Sequence, residues 1–148
     1  TSGTLFTFSS IPSGVKQIAV MFDSVSLASS AADFQVQIGS GSLATSGYLS
    51  RYARTYGPGT NTVSSTAAFN LFNDDAALIT QAVVQLFLQD SSNNTWLASW
   101  TAAVNSGAFI SYGAGQKSLG SSNTLDRVGI NTVGSETFDA GAVSIMYM

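Results

Sequence analysis

The segment Phe34-Gln35-Val36-Gln37-Ile38 alternates apolar and amide side chains and stops at Gly39-Ser40-Gly41. Successive side chains of an extended chain point to opposite faces, so Phe34, Val36 and Ile38 share one face while the two glutamines share the other. The same period of two recurs in short segments parted by Gly, Ser, Asn and Asp, and it predicts strands near residues 5–8, 15–22, 34–38, 48–56, 67–72, 82–89, 95–104, 108–112, 125–132 and 142–147. So many short strands predict an all-β fold, a two-sheet antiparallel β-sandwich of jelly-roll-like type. The polar stretch Gln89-Asp90-Ser91-Ser92-Asn93-Asn94-Thr95 predicts a hairpin between two apolar strands at the centre of the core. Both prolines, Pro12 and Pro58, sit in turn sequences. A helical turn competes only at residues 73–79, where Asn73 or Asp74 can cap a short apolar run.

The chain has 148 residues, which fits one domain, expected to be a module of a longer protein. It contains no Cys and no His, which removes thiol nucleophiles, Ser-His dyads and zinc sites built on those residues. Carboxylate pairs remain the route to hydrolysis, and the candidates are Asp74 with Asp75, Asp90, Asp126, Glu136 and Asp139. Adjacent aspartates in a turn are explained more simply as caps, so the chain is expected to be no enzyme, with no cofactor. The same acids lack the spacing of a calcium loop, so no metal site is expected. Five scattered basic residues against eight acidic ones give a net charge of -3 and argue against nucleic acid. No apolar run approaches the ~18 residues of a membrane span, so no membrane insertion is expected.

Three rows of side chains stand out. Strand alternation places Tyr48, Ser50, Tyr52, Arg54 and Tyr56 on one face. Tyrosine rings with a guanidinium suit a sugar or a subunit interface, and they equally suit the inter-sheet core. Read as an outward face, Tyr48, Tyr52, Arg54 and Tyr56 are the first candidates for ligand binding, and the loop Asn73-Asp74-Asp75 is the second. Trp96, Ala98, Trp100, Ala102 and Val104 alternate large with small and are expected in the core. Val83 and Phe87 lie opposite Val84, Leu86 and Leu88, and the last strand is apolar on both faces, so Val83, Phe87, Met146 and Met148 are candidates for a threefold subunit contact. Asp126 and Arg127 are expected on opposite faces, without a salt bridge.

Several short motifs carry a resemblance: Ile11-Pro12-Ser13-Gly14-Val15-Lys16 with Ile18-Ala19-Val20-Met21-Phe22, then Val36-Gln37-Ile38-Gly39, Ser46-Gly47-Tyr48, Asn94-Thr95-Trp96 and Lys117-Ser118-Leu119. Leu125-Asp126-Arg127-Val128, Phe138-Asp139-Ala140-Gly141 and Ile145-Met146-Tyr147 complete the set. Together they resemble a β-rich module at the C-terminal end of tailed-bacteriophage tail-fibre and other appendage proteins. The chain departs from that pattern at Met148, where an acidic residue is common, and in the loop from Thr60 to Ala68. The resemblance implies a non-enzymatic virion component on the particle surface, a homotrimer at a fibre tip, attached to a bacterial cell-surface glycan or protein. Two other readings stay open: a head-decoration or fibre-anchoring domain that contacts other virion proteins, and a carbohydrate-binding module of a secreted bacterial enzyme. A glycan predicts a groove with aromatics and amides, a protein partner a flat apolar patch.

Overall fold

The structure is a computed structural model. It describes residues 3–56, 58–73, 75–105 and 109–148, and the side chain of Tyr56 lies outside that set. Twelve strands run in chain order as β1 (Leu5–Phe8), β2 (Gln17–Leu27), β3 (Phe34–Ser40), β4 (Ser42–Leu43), β5 (Tyr48–Tyr56), β6 (Gly59–Ser65), β7 (Phe69–Leu71), β8 (Thr80–Asp90), β9 (Thr95–Val104), β10 (Phe109–Ser118), β11 (Arg127–Thr132) and β12 (Phe138–Tyr147). A seven-stranded antiparallel sheet has the order β12-β2-β8-β9-β10-β5-β6. A five-stranded sheet has the order β1-β11-β3-β4, with β7 also paired to β3. The two form an antiparallel, jelly-roll-like β-sandwich, as the alternation predicts.

Why these segments pair is legible in their inward rows. Ile18, Val20, Val84, Leu86, Trp96 and Trp100 line the inside of the larger sheet, and Phe34, Val36, Ile38, Val128 and Ile130 face them from the smaller one, all buried. Each such side chain taken from water contributes roughly 1.5–3 kcal/mol, which offsets the entropy of ordering its strand. Phe34 stacks on Phe138 with centroids 5.8 Å apart, and Phe6 meets Phe138 edge-on at 4.9 Å. The tryptophans lie in the core as expected.

The strand β10 is longer than its pattern predicts. It runs on through Gly113-Ala114-Gly115 to Ser118, where the sequence reads as a break. Its inward row is Ser111, Gly113 and Gly115, because aromatic rings occupy the space above it. A Cβ on Gly113 would stand 2.2 Å from Cζ2 of Trp100, and one on Gly115 would stand 2.9 Å from the Phe69 ring. The predicted loop at Thr60 to Ala68 is instead mostly β6, a polar edge strand paired along β5. Residues 76–77 form a turn rather than a helix: Asp75 Oδ1 accepts from the Ala77 N–H at 2.9 Å, a local bond that competes with helical pairing.

Asp126 and Arg127 also correct the sequence reading. They form a two-point ion pair, Nε to Oδ1 at 2.7 Å and Nη2 to Oδ2 at 3.2 Å. Asp126 precedes the first residue of β11, so strand alternation does not govern its direction. The Arg127 guanidinium holds the Asp126 carboxyl below the usual range, and the N–H of Gly41 donates to both of its oxygens. The main chain of Asp126 meanwhile accepts from Ile11 and donates to Gly39. One residue thus ties three segments distant in sequence.

Candidate functional site

The tyrosine stripe faces inward. Tyr48 and Tyr52 are each only 3% exposed, and Ser50 between them is buried. The Tyr48 hydroxyl accepts from the Ile38 N–H at 2.9 Å and directs its proton to the carbonyls of Ala44 (3.0 Å) and Ile38 (3.3 Å), and burial pushes its pKa up to about 12. Tyr48 is therefore a pin between the two sheets, and the outward reading of the stripe is corrected. The inward row of β5 was one of the sequence alternatives, and the packing of Tyr48 against Phe69, edge-on at 5.0 Å, decides for it.

Tyr52, Arg54 and Asn73 are nevertheless brought together, around a residue the sequence reading missed. Asp33, just ahead of β3, accepts hydrogen bonds from the Tyr52 hydroxyl at 2.7 Å and from the Asn73 N–H at 3.3 Å. Burial raises the Asp33 pKa above its ordinary value, and the Tyr52 hydrogen bond is the largest influence opposing it. Arg54 lies over the Phe72 ring, 4.2 Å from its centroid. Asn73 is buried, with neither side-chain amide atom hydrogen-bonded. This is a polar plug closing one end of the core rather than an open surface. Asp75 is exposed in the following turn, and Asp74 and the side chain of Tyr56 lie outside the described residues. The signal for Asp33 is a charged residue directly before an alternating strand.

The open surface is the outer face of the seven-stranded sheet. Of the twelve large apolar side chains exposed among the described residues, eight stand on this face: Leu49, Val83, Phe87, Leu97, Ile110, Tyr112, Met146 and Met148. The strand register aligns them in cross-strand rows, such as Met21, Val83, Thr101 and Tyr112. The four subunit-contact candidates, Val83, Phe87, Met146 and Met148, are all exposed here. Among the described residues, charge at the outward positions of the sheet comes from Asp23, Arg51 and Asp139.

Relief on this face follows from side-chain size. Outward positions of the central strand β9 include Ser99, Thr101 and Ala103, all small, while β8 and β10 on either side carry Val83, Ile110 and Tyr112. The result is a shallow trough. One part, about 560 Å³, is lined by Met21, Gln81, Val83, Thr101, Ala103 and Ile110. A second part, about 250 Å³, shares Val83 and Thr101 and adds Gln85 and Ser99. Gln81 is held at Ser24 Oγ, 2.9 Å away. The trough offers apolar walls for C–H surface and amides and hydroxyls for polar groups. It holds no nucleophile activated by a base, and no group of three or more His, Cys, Asp or Glu able to hold a metal ion occurs among the described residues.

Comparison with known proteins gives no family-model match and no match among curated proteins. Among solved structures, the chain is similar to CG-16, a homodimeric agglutinin from chicken liver, with 10% identity over 95% of this chain and 99% of that one at a TM-score of 0.33. It is similar to ancestral congerin Con-anc, with 10% identity over 99% of both chains at a TM-score of 0.31. A human SPRY domain shares 11% identity over 93% of this chain and 94% of that one at a TM-score of 0.18. Likenesses this distant carry no functional argument.

Proposed function

We propose that the chain is a non-catalytic adhesion module of a tailed-bacteriophage virion appendage, displayed on the particle surface, and that it holds a bacterial cell-surface glycan in the trough over β9. The observation that carries the binding site is the trough itself: small hydroxyl-bearing residues on its floor, glutamines within it, and Tyr112 beside Thr101 on the next strand. An aromatic ring covers the apolar face of a pyranose while amides and hydroxyls fix its oxygens. The motif resemblance supplies the virion context. A shallow site of this kind binds weakly alone, and presentation in a homotrimer makes it useful through avidity. The test is adhesion of the purified chain to host cells and to a glycan array. Tyr112→Ala with Gln85→Ala should abolish binding with little change in thermal midpoint, since both side chains point to solvent. Undiminished binding by this variant would overturn the reading.

A second reading rests on the concentration of exposed apolar side chains on this face, the kind of surface that marks an interaction site. In that reading Val83, Phe87, Met146 and Met148 are covered by further copies or by other virion proteins. Light scattering over a wide concentration range, with Phe87→Glu as the variant, separates the two. An assembly that Phe87→Glu dissociates favours the covered face, and an assembly that Phe87→Glu leaves intact, with glycan binding retained, favours the open one.

A further inference from the structure

At the end of the sandwich opposite Asp33, a cleft of about 260 Å³ opens between the β3–β4 turn and the segment after β10, lined by Gly39, Ser40, Ser42, Lys117, Leu119 and Asn123 with Ala44. Lys117 belongs to the inward row of β10, opposite Trp96 and Tyr48, yet it is the last such position before the strand ends. Its stem follows the core rim, and its ammonium lies 5.4 Å from the centre of the Tyr48 ring. A cation in that position keeps its charge at the mouth while its methylenes cover apolar surface. The chain opens room for it at Gly47, whose φ of +74° already disfavours a side chain and where a Cβ would come within 3.1 Å of Nζ.

The ammonium has no carboxylate partner among the described residues. The acid at the adjoining turn, Asp126, is taken by Arg127 and by the N–H of Gly41. The hydroxyls of Ser40 and Ser42 make no hydrogen bond to another described side chain, so the cleft that Lys117 lines also carries two spare donors. Asn123 spends one amide proton on the Leu119 carbonyl at 2.8 Å and keeps the other. A cleft with one cation, two hydroxyls, an amide N–H and no acid of its own selects an oxyanion, because charge-assisted hydrogen bonds are the strongest the site can make.

We propose that this cleft is a binding site for a small oxyanion, the carboxylate of an acidic sugar or a phosphate group. It is separate from the trough over β9, which lies on the other face of β10. The experiment is an NMR titration of the full chain with glucuronate, glucose and inorganic phosphate, following the amides of Ser40, Ser42, Gly47 and Leu119. Glucuronate, phosphate or both should shift these amides and glucose should not, and which anion does so identifies the source of the oxyanion. Lys117→Gln should weaken the response by about tenfold or more, the usual loss for a charge-assisted bond, and added salt should weaken it further. If Lys117→Gln fails to fold, the Ser40→Ala with Ser42→Ala variant should weaken binding severalfold. Equal shifts with glucose, no shift with either anion, or anion shifts untouched by both variants would overturn the proposal. Tyr112→Ala should leave these shifts unchanged, so failure here and failure at the trough are told apart.

Discussion

Gly113→Ala places one methyl group where the core has no room for it. The new Cβ would stand 2.2 and 2.3 Å from two indole carbons of Trp100 and 2.8 Å from the Arg51 carbonyl oxygen. Carbon atoms settle at ~3.5–4.0 Å, so the ring would have to retreat by more than about 1 Å. It cannot do so easily, since Trp100 is buried and packs against Phe69 with centroids 6.0 Å apart. Overpacking of this kind costs about 1–3 kcal/mol, and a clash with both a ring and main chain belongs at the upper end. Replacing a strand glycine that needs no positive φ would by itself stabilise by about 0.5–1 kcal/mol. The net expectation is a loss of about 2 kcal/mol, a fall in thermal midpoint of roughly 4–8 °C for a chain of this size. Urea denaturation of Gly113→Ala, Trp100→Leu and the double variant measures it. The Trp100→Leu background removes the two closest contacts, the indole carbons, so Gly113→Ala should cost at least about 1 kcal/mol less there. Additive losses, or a stabilising single variant, would refute the account of why β10 is glycine-rich.

Two further outcomes test the structure. Tyr48→Phe should lower stability by about 1–3 kcal/mol, because it leaves the buried Ile38 N–H without its acceptor, and the denaturation midpoint reads this directly. Glu136 accepts from the hydroxyls of Ser30 and Ser29, which hold its carboxyl below the ordinary glutamate value of 4.5. A depressed folded pKa contributes stability that is present above the unfolded value and lost as pH falls through the folded one. Glu136→Gln should therefore flatten the pH dependence of thermal stability below about pH 4.5, and an unchanged acid limb would refute that role.

The sheet layers and most strand positions were legible because a half-buried strand writes its burial into every second residue. Strand β5 starts and ends where its pattern places it, and the hairpin after β8 turns where its polar run falls. What alternation cannot say is which of two faces is inside. Tyr48 and Tyr52 carry a polar atom each, and their burial depends on the Ile38 and Asp33 groups waiting for those hydroxyls from distant strands. The length of β10 was hidden for the opposite reason. Its inward row falls to glycine at 113 and 115 and shows no apolar period there, because the rings that fill the space belong to β7 and β9. Strand β6 is nearly all Thr, Ser and Asn, and it is a strand through its pairing with β5 rather than through burial. The trough over β9 was missed because a site made by the smallness of its floor leaves no distinctive residue to notice.

The strand order has a consequence for how the chain reaches this state. β1 pairs with β11, β2 lies between β12 and β8, and β3 lies between β11 and β7. Each of the first three strands therefore waits for partners made much later. During synthesis β1 lacks its partner, and β2 and β3 each lack one neighbouring strand, until residues 127–147 have left the ribosome, and loop closure of this span must precede the contacts that reward it. Folding should be slow for a chain of its length, in the range of pairing-dominated β proteins, and the yield of folded protein should depend on how well those early strands are shielded while they wait.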